Sequence, residues 1–138
     1  MSKAAGWAVV LALGLGFTTS GCGGGKTYAM RPLERTSGAE GKLKVKDSDN
    51  GNKVVSVEME HLAQPSAING SYNTYVLWLR PARQKEWKNM GALRIDSDRK
   101  AKLETVTPFE SFDVMVTAEA EATGDEPKGV PVLSGGAQ

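Results

Sequence analysis

The chain of 138 residues has a single cysteine, Cys22, and a single histidine, His61. A disulfide within the chain is therefore excluded, and a zinc site with the usual cysteine and histidine ligands is not expected. No apolar run reaches the roughly 20 residues that a transmembrane helix needs. The formal net charge is only +1, so the sequence does not indicate a basic surface for nucleic acid. We expect no cofactor, no metal ion and no nucleic-acid partner.

The first 21 residues have the three-part layout of a secretory signal peptide. Lys3 supplies a positive charge, residues 4–17 form an apolar run, and small polar residues follow. As a helix, this run would be about 21 Å long at roughly 1.5 Å per residue. A bilayer core is about 30 Å thick, so the run is short for a permanent anchor. The pattern predicts a cleaved segment over residues 1–21.

The residues before the cysteine resemble the lipobox of bacterial lipoproteins. Ser20 and Gly21 fit its small-residue positions, whereas Thr19 stands where an aliphatic residue is usual. The resemblance implies that Cys22 is acylated, becomes the first residue of the mature chain, and attaches it to a lipid bilayer at about 0.8 kcal/mol per buried methylene group. The alternative is a chance cysteine in an ordinary signal peptide or a short membrane helix. Gly23 replaces the aspartate that retains many lipoproteins at the inner membrane, which favours the outer membrane.

Residues 22–41 are predicted to be the lipidated cysteine followed by a flexible linker, because glycine, serine, threonine and charged residues dominate. The apolar patch Tyr28-Ala29-Met30 could instead dock on the domain. From Lys42 onward, apolar and polar residues alternate with period two, which is typical of half-buried strands. Asn50-Gly51 predicts a hairpin turn. Residues 74–80 are apolar on both faces and predict a central strand that is covered on both sides.

About seven short segments with strand character, separated by turn signals, fall within residues 42–135. No segment shows helical periodicity over ten or more residues. This pattern predicts an all-β domain, and specifically an antiparallel, Ig-like β-sandwich of about seven strands. Residues 136–138 are predicted to be a C-terminal tail.

Part of this strand pattern resembles the C-terminal extracytoplasmic domain of anti-sigma-K factors. The residues that carry the resemblance are Tyr75-Val76-Leu77-Trp78-Leu79, Met90-Gly91, residues 112–119, Pro127, Val130, Val132, Leu133 and Gly135. Full-length members of that family also have a cytoplasmic sigma-binding domain and a membrane helix, and this sequence shows neither. The resemblance therefore implies the fold and an extracytoplasmic module for sensing, binding or protein contact, but not anti-sigma activity.

Two acidic turns are candidate calcium sites. Asp47, Asp49 and Glu58 match three positions of a calcium-loop template, but the glycine comes one place early and Glu58 falls within a predicted strand. Asp96 and Asp98 form a similar turn. In both places we favour an ordinary solvated turn over an ion site.

The other candidates are a histidine and two tryptophans. His61 follows a predicted strand, and packing or surface placement is favoured over a role as ligand or catalytic base. Trp78 lies in the central strand and is expected in the core. Trp87 follows the polar residues 83–86, so we expect that it can contact a partner.

Together these features predict a membrane-anchored lipoprotein of the cell envelope, with its mature domain outside the cytoplasm. We expect no catalytic residues. The domain is expected to be a non-enzymatic binding or structural module that contacts another envelope protein. The alternative is an extracytoplasmic domain that senses a ligand or an ion at the acidic turns.

Overall fold

The computed structural model describes residues 25–33 and 38–138. The predicted signal peptide and Cys22 lie outside these residues. Over the described residues the chain forms eight strands and one short helix. They are β1 (Lys26–Pro32), β2 (Glu40–Asp47), β3 (Lys53–Glu60), α1 (Pro65–Ile68), β4 (Thr74–Pro81), β5 (Lys88–Leu93), β6 (Ala101–Thr107), β7 (Phe112–Glu119) and β8 (Val130–Ala137).

The strands form one antiparallel sheet in the order β5-β4-β7-β8-β1-β2-β3-β6. Strand β1 joins its two halves, because residues 26–30 pair with β2 while Arg31 and Pro32 pair with β8. The two end strands also approach each other. A Cβ built on Gly91 of β5 would lie 3.4 Å from Leu103 Cδ2 of β6. The sheet therefore curls almost into a barrel.

The all-β antiparallel prediction is confirmed, whereas an Ig-like sandwich of about seven strands is not. The strand that the sequence did not predict is β1, which lies within the predicted linker over 22–41. Its inward residue Met30 is only 5% exposed and belongs to the core, and Tyr28 packs against that core. The predicted linker is therefore wrong over Lys26–Pro32. The predicted tail over 136–138 is also wrong in part, because β8 continues to the buried Ala137.

The core follows the period-two pattern of the sequence. Inward residues alternate along each strand, such as Val55, Val57 and Met59 on β3, and all three are buried. Burial of each such side chain stabilises the fold by about 1.5–3 kcal/mol. The hairpin between β2 and β3 turns at Gly51, which has φ +85, a conformation that glycine adopts without strain. The sequence prediction for Asn50-Gly51 is therefore confirmed.

The loop between β3 and β4 contains a single helical turn, Pro65–Ile68. None of the helices in the described part of the chain is long and apolar enough to cross a bilayer. The same loop is attached to the barrel through Tyr75, whose hydroxyl donates to the carbonyl oxygen of Ala63 at 2.7 Å. Burial raises the pKa of Tyr75 above its usual value, and the nearby charge of Arg99 opposes that rise.

We expect Tyr75 to make stability fall in alkaline solution. Above about pH 10, the unfolded chain releases the phenol proton, while the folded chain retains it because its pKa is raised. The contribution of this group is therefore complete below that pH and is lost as the pH rises. Urea unfolding at about pH 8 and about pH 11 should show a larger loss of unfolding free energy for the wild type than for Tyr75→Phe. Equal losses would contradict this assignment.

Candidate functional site

Arg80, Trp87 and Asp113 form a connected group on the outside of the barrel. Arg80 on β4 and Asp113 on β7 are direct cross-strand partners, and Arg80 Nη2 donates to Asp113 Oδ2 at 2.9 Å. The guanidinium carbon of Arg80 lies 4.5 Å from the centroid of the Trp87 ring. Arg80 therefore holds a carboxylate and an indole at once, through an ion pair and a cation–π contact. This arrangement fixes the position of Trp87 just before β5.

Trp87 stands between two open hollows. The first has a volume of about 680 Å³ and is bounded by β1, β4, β7 and β8. The second, of about 590 Å³, is bounded by the segment before β5 and the loop after β7. Met115 lines both hollows together with Trp87, so the two form one surface. We call this surface the Trp87 groove; its main residues are Tyr28, Arg31, Arg80, Lys85, Glu86, Trp87, Asp113, Met115, Ser134, Gly136, Asp125, Glu126 and Pro127.

Small residues keep the first hollow open. Ser134 and Gly136 on β8 lie opposite Met115 and Asp113 on β7. A Cβ on Gly136 would come within 3.0 Å of Asp113 Oδ1 and 3.2 Å of the Phe112 carbonyl oxygen. Any larger residue at position 136 would therefore push against the carboxylate that holds Arg80.

The two ends of the groove differ in charge. Arg31 and Arg80 line the first hollow, and Arg80 is paired with Asp113. Asp125 and Glu126 place two carboxylates in the far wall of the second hollow. Lys85 and Glu86 also line this hollow, and their opposite charges offset each other. The groove is therefore basic at the Arg31 end, apolar at Trp87 and Met115, and mainly acidic at the other end.

The wall of the second hollow is the loop over residues 120–129, which crosses β4. The side-chain amide of Asn89 on β5 donates to the carbonyl oxygens of Ala122 at 2.8 Å and Gly124 at 3.0 Å. On β7, the Glu119 carboxylate accepts the backbone N–H groups of Lys128 at 3.2 Å and Gly129 at 3.0 Å. Because β5 and β7 flank β4, the loop covers the outer face of β4.

A buried polar chain lies under this loop. Trp78, which is 0% exposed, points away from the core and donates through Nε1 to Thr117 Oγ1 at 2.8 Å. The Thr117 hydroxyl in turn donates to Glu119, which is 5% exposed. Buried polar groups are costly unless each has a partner, and here each acceptor receives a donor. The chain thus ties the loop to the two strands beneath it.

The structure shows where the two tryptophans named in the sequence analysis lie. Trp78 is buried, as expected, although it lies on the outer face of β4 rather than in the central core cluster. Trp87 is half-buried rather than fully exposed, because it leans on Arg80. Its neighbours in the groove come from strands far apart in the sequence, which no local pattern could reveal.

In both acidic turns, the polar side chains bond to nearby residues of the same turn. Asp47 pairs with Lys53, and the Ser48 hydroxyl donates to Asn50. Asp96 Oδ1 accepts the backbone N–H groups of residues 98 and 100, both at 2.9 Å. Glu58, the last member of the calcium template, lies 3.4 Å from Lys102. These contacts are those of hydrogen-bonded turns.

The sequence did not anticipate a cluster around the histidine. His61 follows β3 in a left-handed conformation with φ 59 and is exposed. Glu40 and Glu60 are direct cross-strand partners. One carboxylate oxygen from each of them and a ring nitrogen of His61 all lie within 4.8 Å of one another. Lys100 lies 3.7 Å from Glu60 and offsets part of the negative charge. Glu40 was assigned to the linker, so its pairing with Glu60 could not be predicted.

We expect Gly129→Ala to dislodge the loop over residues 120–129. A Cβ there would lie 1.7 Å from the Ala118 carbonyl oxygen, which is rigid backbone. Such overpacking costs about 1–3 kcal/mol, and displacement would leave Glu119 without its backbone donors. Thermal unfolding should show a clear loss for Gly129→Ala. The control Gly124→Ala, with its nearest contact at 3.6 Å, should unfold near the wild-type temperature. Equal behaviour of the two variants would contradict the role given to Gly129.

The positions from which the sequence predicts a resemblance to anti-sigma-K factors fall mainly on β4, β7 and β8, which are neighbours in the sheet. These three strands also form most of the floor of the Trp87 groove. Comparison of the chain with protein-family models and with curated proteins found no match.

Proposed function

We propose that this protein is a lipid-anchored, non-enzymatic binding module of the bacterial cell envelope. In this proposal Cys22 carries the lipid, and the Trp87 groove receives an extended segment of another envelope protein. The observation that carries the binding proposal is Trp87 itself, an indole held in place by Arg80 between two open hollows. Tryptophan and arginine are the residues most enriched among the energetic centres of protein interfaces.

The shape of the groove favours a polypeptide over a small molecule. Both hollows are open to solvent and shallow, whereas small-molecule sites enclose most of their ligand. An extended segment that crosses Trp87 would place successive side chains in the two hollows. Peptide-binding surfaces commonly gain their specificity in this way, from a row of shallow side-chain sites.

The charges of the groove define the segment further. An acidic side chain suits the Arg31 end, an apolar one suits the surface of Trp87 and Met115, and a basic one suits Asp125 and Glu126. Opposite charges at the two ends also fix the direction in which the segment lies. The Arg80–Asp113 pair holds Trp87 before binding, so little side-chain entropy is lost on complex formation.

Residues before the barrel support the membrane attachment. The lipobox-like end at Ser20-Gly21-Cys22 and the resemblance to an extracytoplasmic domain both favour a position in the envelope outside the cytoplasm, with the outer membrane favoured. An ion-sensing domain is the second candidate, and its support is the exposed cluster of Glu40, Glu60 and His61. The groove is the better-supported site, because Lys100 already occupies one side of Glu60.

Lipid attachment can be checked on native protein extracted from bacterial membranes. We expect intact-mass spectrometry to show a chain that begins at Cys22 and carries acyl groups. The Cys22→Ser variant should retain residues 1–21 or leave the membrane fraction, because serine has no thiol for lipid transfer. A native chain that begins at Met1, or that carries a free thiol at Cys22, would contradict the anchor.

Partner binding can be checked with a photo-reactive residue at Met115 in intact cells. Irradiation should join the groove to one protein, and peptide mapping should find an acidic and a basic residue on either side of an apolar one. Trp87→Ala should weaken binding of that mapped segment to the purified protein by about 30-fold, from the roughly 2 kcal/mol of a central aromatic contact. Arg31→Glu should weaken it as well, while Val106→Ala on the opposite half should bind as the wild type does. Unchanged affinity in Trp87→Ala would sink the proposal.

A further inference from the structure

The start of β1 sets how far the barrel can lie from the lipidated cysteine. Because the strand begins at Lys26, only Gly23, Gly24 and Gly25 follow Cys22 before the sheet. Consecutive Cα atoms are about 3.8 Å apart, so the Cα atoms of residues 22 and 25 are at most about 11 Å apart. A linker of the predicted length would have allowed a much larger separation. In a chain lipidated at Cys22, the surface near Gly25 would therefore lie close to the membrane.

Gly25 itself is fitted closely to the edge of β2. A Cβ on this residue would lie 2.7 Å from the Val45 carbonyl oxygen and 2.9 Å from Lys46 Cβ. The end of the tether therefore lies directly beside Lys46, which is exposed on the outside of the barrel.

The surface beside Gly25 is rich in lysine. Lys42, Lys44 and Lys46 alternate on β2 with Leu43 and Val45, so all three point outward, and all are exposed. Within residues 25–33 and 38–138, none of the three forms a salt bridge. Lys44 and Lys46 border a hollow of about 340 Å³ that is also lined by Gly25, Thr27, Lys102, Glu58 and Glu104.

An exposed valine lies on the same surface. Val106 is 52% exposed and is the only large hydrophobic side chain in that class among the described residues. It pairs with Val54, which pairs with Lys46, so the three residues form one row across the sheet. An exposed apolar side chain in a row with a lysine is a combination that suits the interfacial region of a bilayer.

The part of this surface nearest Gly25 is positive. We call it the lysine face and define it as the outward residues of three rows across β2, β3 and β6, which are Lys46-Val54-Val106, Lys44-Ser56-Glu104 and Lys42-Glu58-Lys102. Glu40 and Glu60 form the next row and lie beyond this face. Lys42, Lys44, Lys46 and Lys102 outnumber Glu58 and Glu104, so the face has excess positive charge. Phosphate groups of acidic phospholipids supply the opposite charge at a membrane surface.

We propose that the lysine face rests on the anionic phospholipid headgroups of the membrane that holds Cys22. This inference depends on the proposed lipidation, since the short tether is what brings the face to the bilayer. The outer sides of opposite halves of a closed sheet point in opposite directions. The part of the Trp87 groove on β4 and β7 therefore faces away from the membrane, where a partner can reach it.

The test uses the lipidated protein in vesicles with and without phosphatidylglycerol. Acylated Cys22 has no free thiol, so Val106→Cys introduces the single reactive thiol on the lysine face, and Asp125→Cys introduces one on the groove side. A membrane-impermeant maleimide should label Val106→Cys at least tenfold more slowly in the anionic vesicles. Labelling of Asp125→Cys should be equal in both. Slow labelling should disappear at high salt, which screens surface charges.

A charge-matched pair of variants completes the test. Lys42→Gln, Lys44→Gln and Lys46→Gln together should restore fast labelling of Val106→Cys in anionic vesicles. Replacing Lys85, Lys88 and Lys128 by glutamine removes equal charge elsewhere and should leave the protection intact. Equal labelling of Val106→Cys in both lipids, on protein whose mass shows the lipid, would overturn the docking alone. A mass without lipid would overturn both this inference and the proposed anchor.

Discussion

The pairing of β1 with two different strands is the constraint on which the rest of the structure depends. Lys26–Met30 pairs with β2 and Arg31–Pro32 pairs with β8, so this one strand turns two half-sheets into a nearly closed barrel. Without it, the inner edges of β2 and β8 would be left with unpaired backbone groups. Met30 would also leave the core, together with about 1.5–3 kcal/mol of burial. The same strand supplies Arg31 to the groove, and it begins beside the predicted lipid.

A second requirement is the cover over β4. Val76 and Trp78 lie on the outer face of that strand, and both are 0% exposed. Without a cover they would form an apolar patch on the surface. The chain covers them with a loop instead of a second sheet, and a loop has backbone groups that need partners. Glu119 provides acceptors for two of its N–H groups, while Asn89 provides donors for two of its carbonyl groups. The same loop forms the acidic wall of the groove. One segment therefore covers β4 and also lines the proposed binding surface.

The sequence predicted the parts that depend on local pattern. Alternation and short apolar runs located β2 to β8, and Asn50-Gly51 located the first hairpin, because these signals lie within a few neighbouring residues. It missed β1, whose inward positions are only Tyr28 and Met30 between glycine-rich and proline-containing flanks. About seven short strands with turn signals favoured a sandwich, because such a pattern does not show which strands pair. The two apolar faces of β4 predicted a cover on both sides, but not that a loop forms one of these covers. Trp87 was recognised from its polar surroundings, but Arg31 and Gly136 reach it only through the order of strands in the sheet.

The two proposed surfaces lie on the two halves of the barrel that β1 joins, and this arrangement would affect partner binding. A domain on a long tether would rotate freely, and a partner would have to stop that motion at an entropic cost. In the proposed arrangement, a tether of three glycines with the lysine face on the bilayer would remove much of this freedom beforehand. Partner binding at Trp87 would then lose less entropy, and two proteins held in one membrane would also meet at a raised effective concentration. Since the lysines act through screened charge, the orientation of the groove would follow the ionic strength and the lipid composition around the protein.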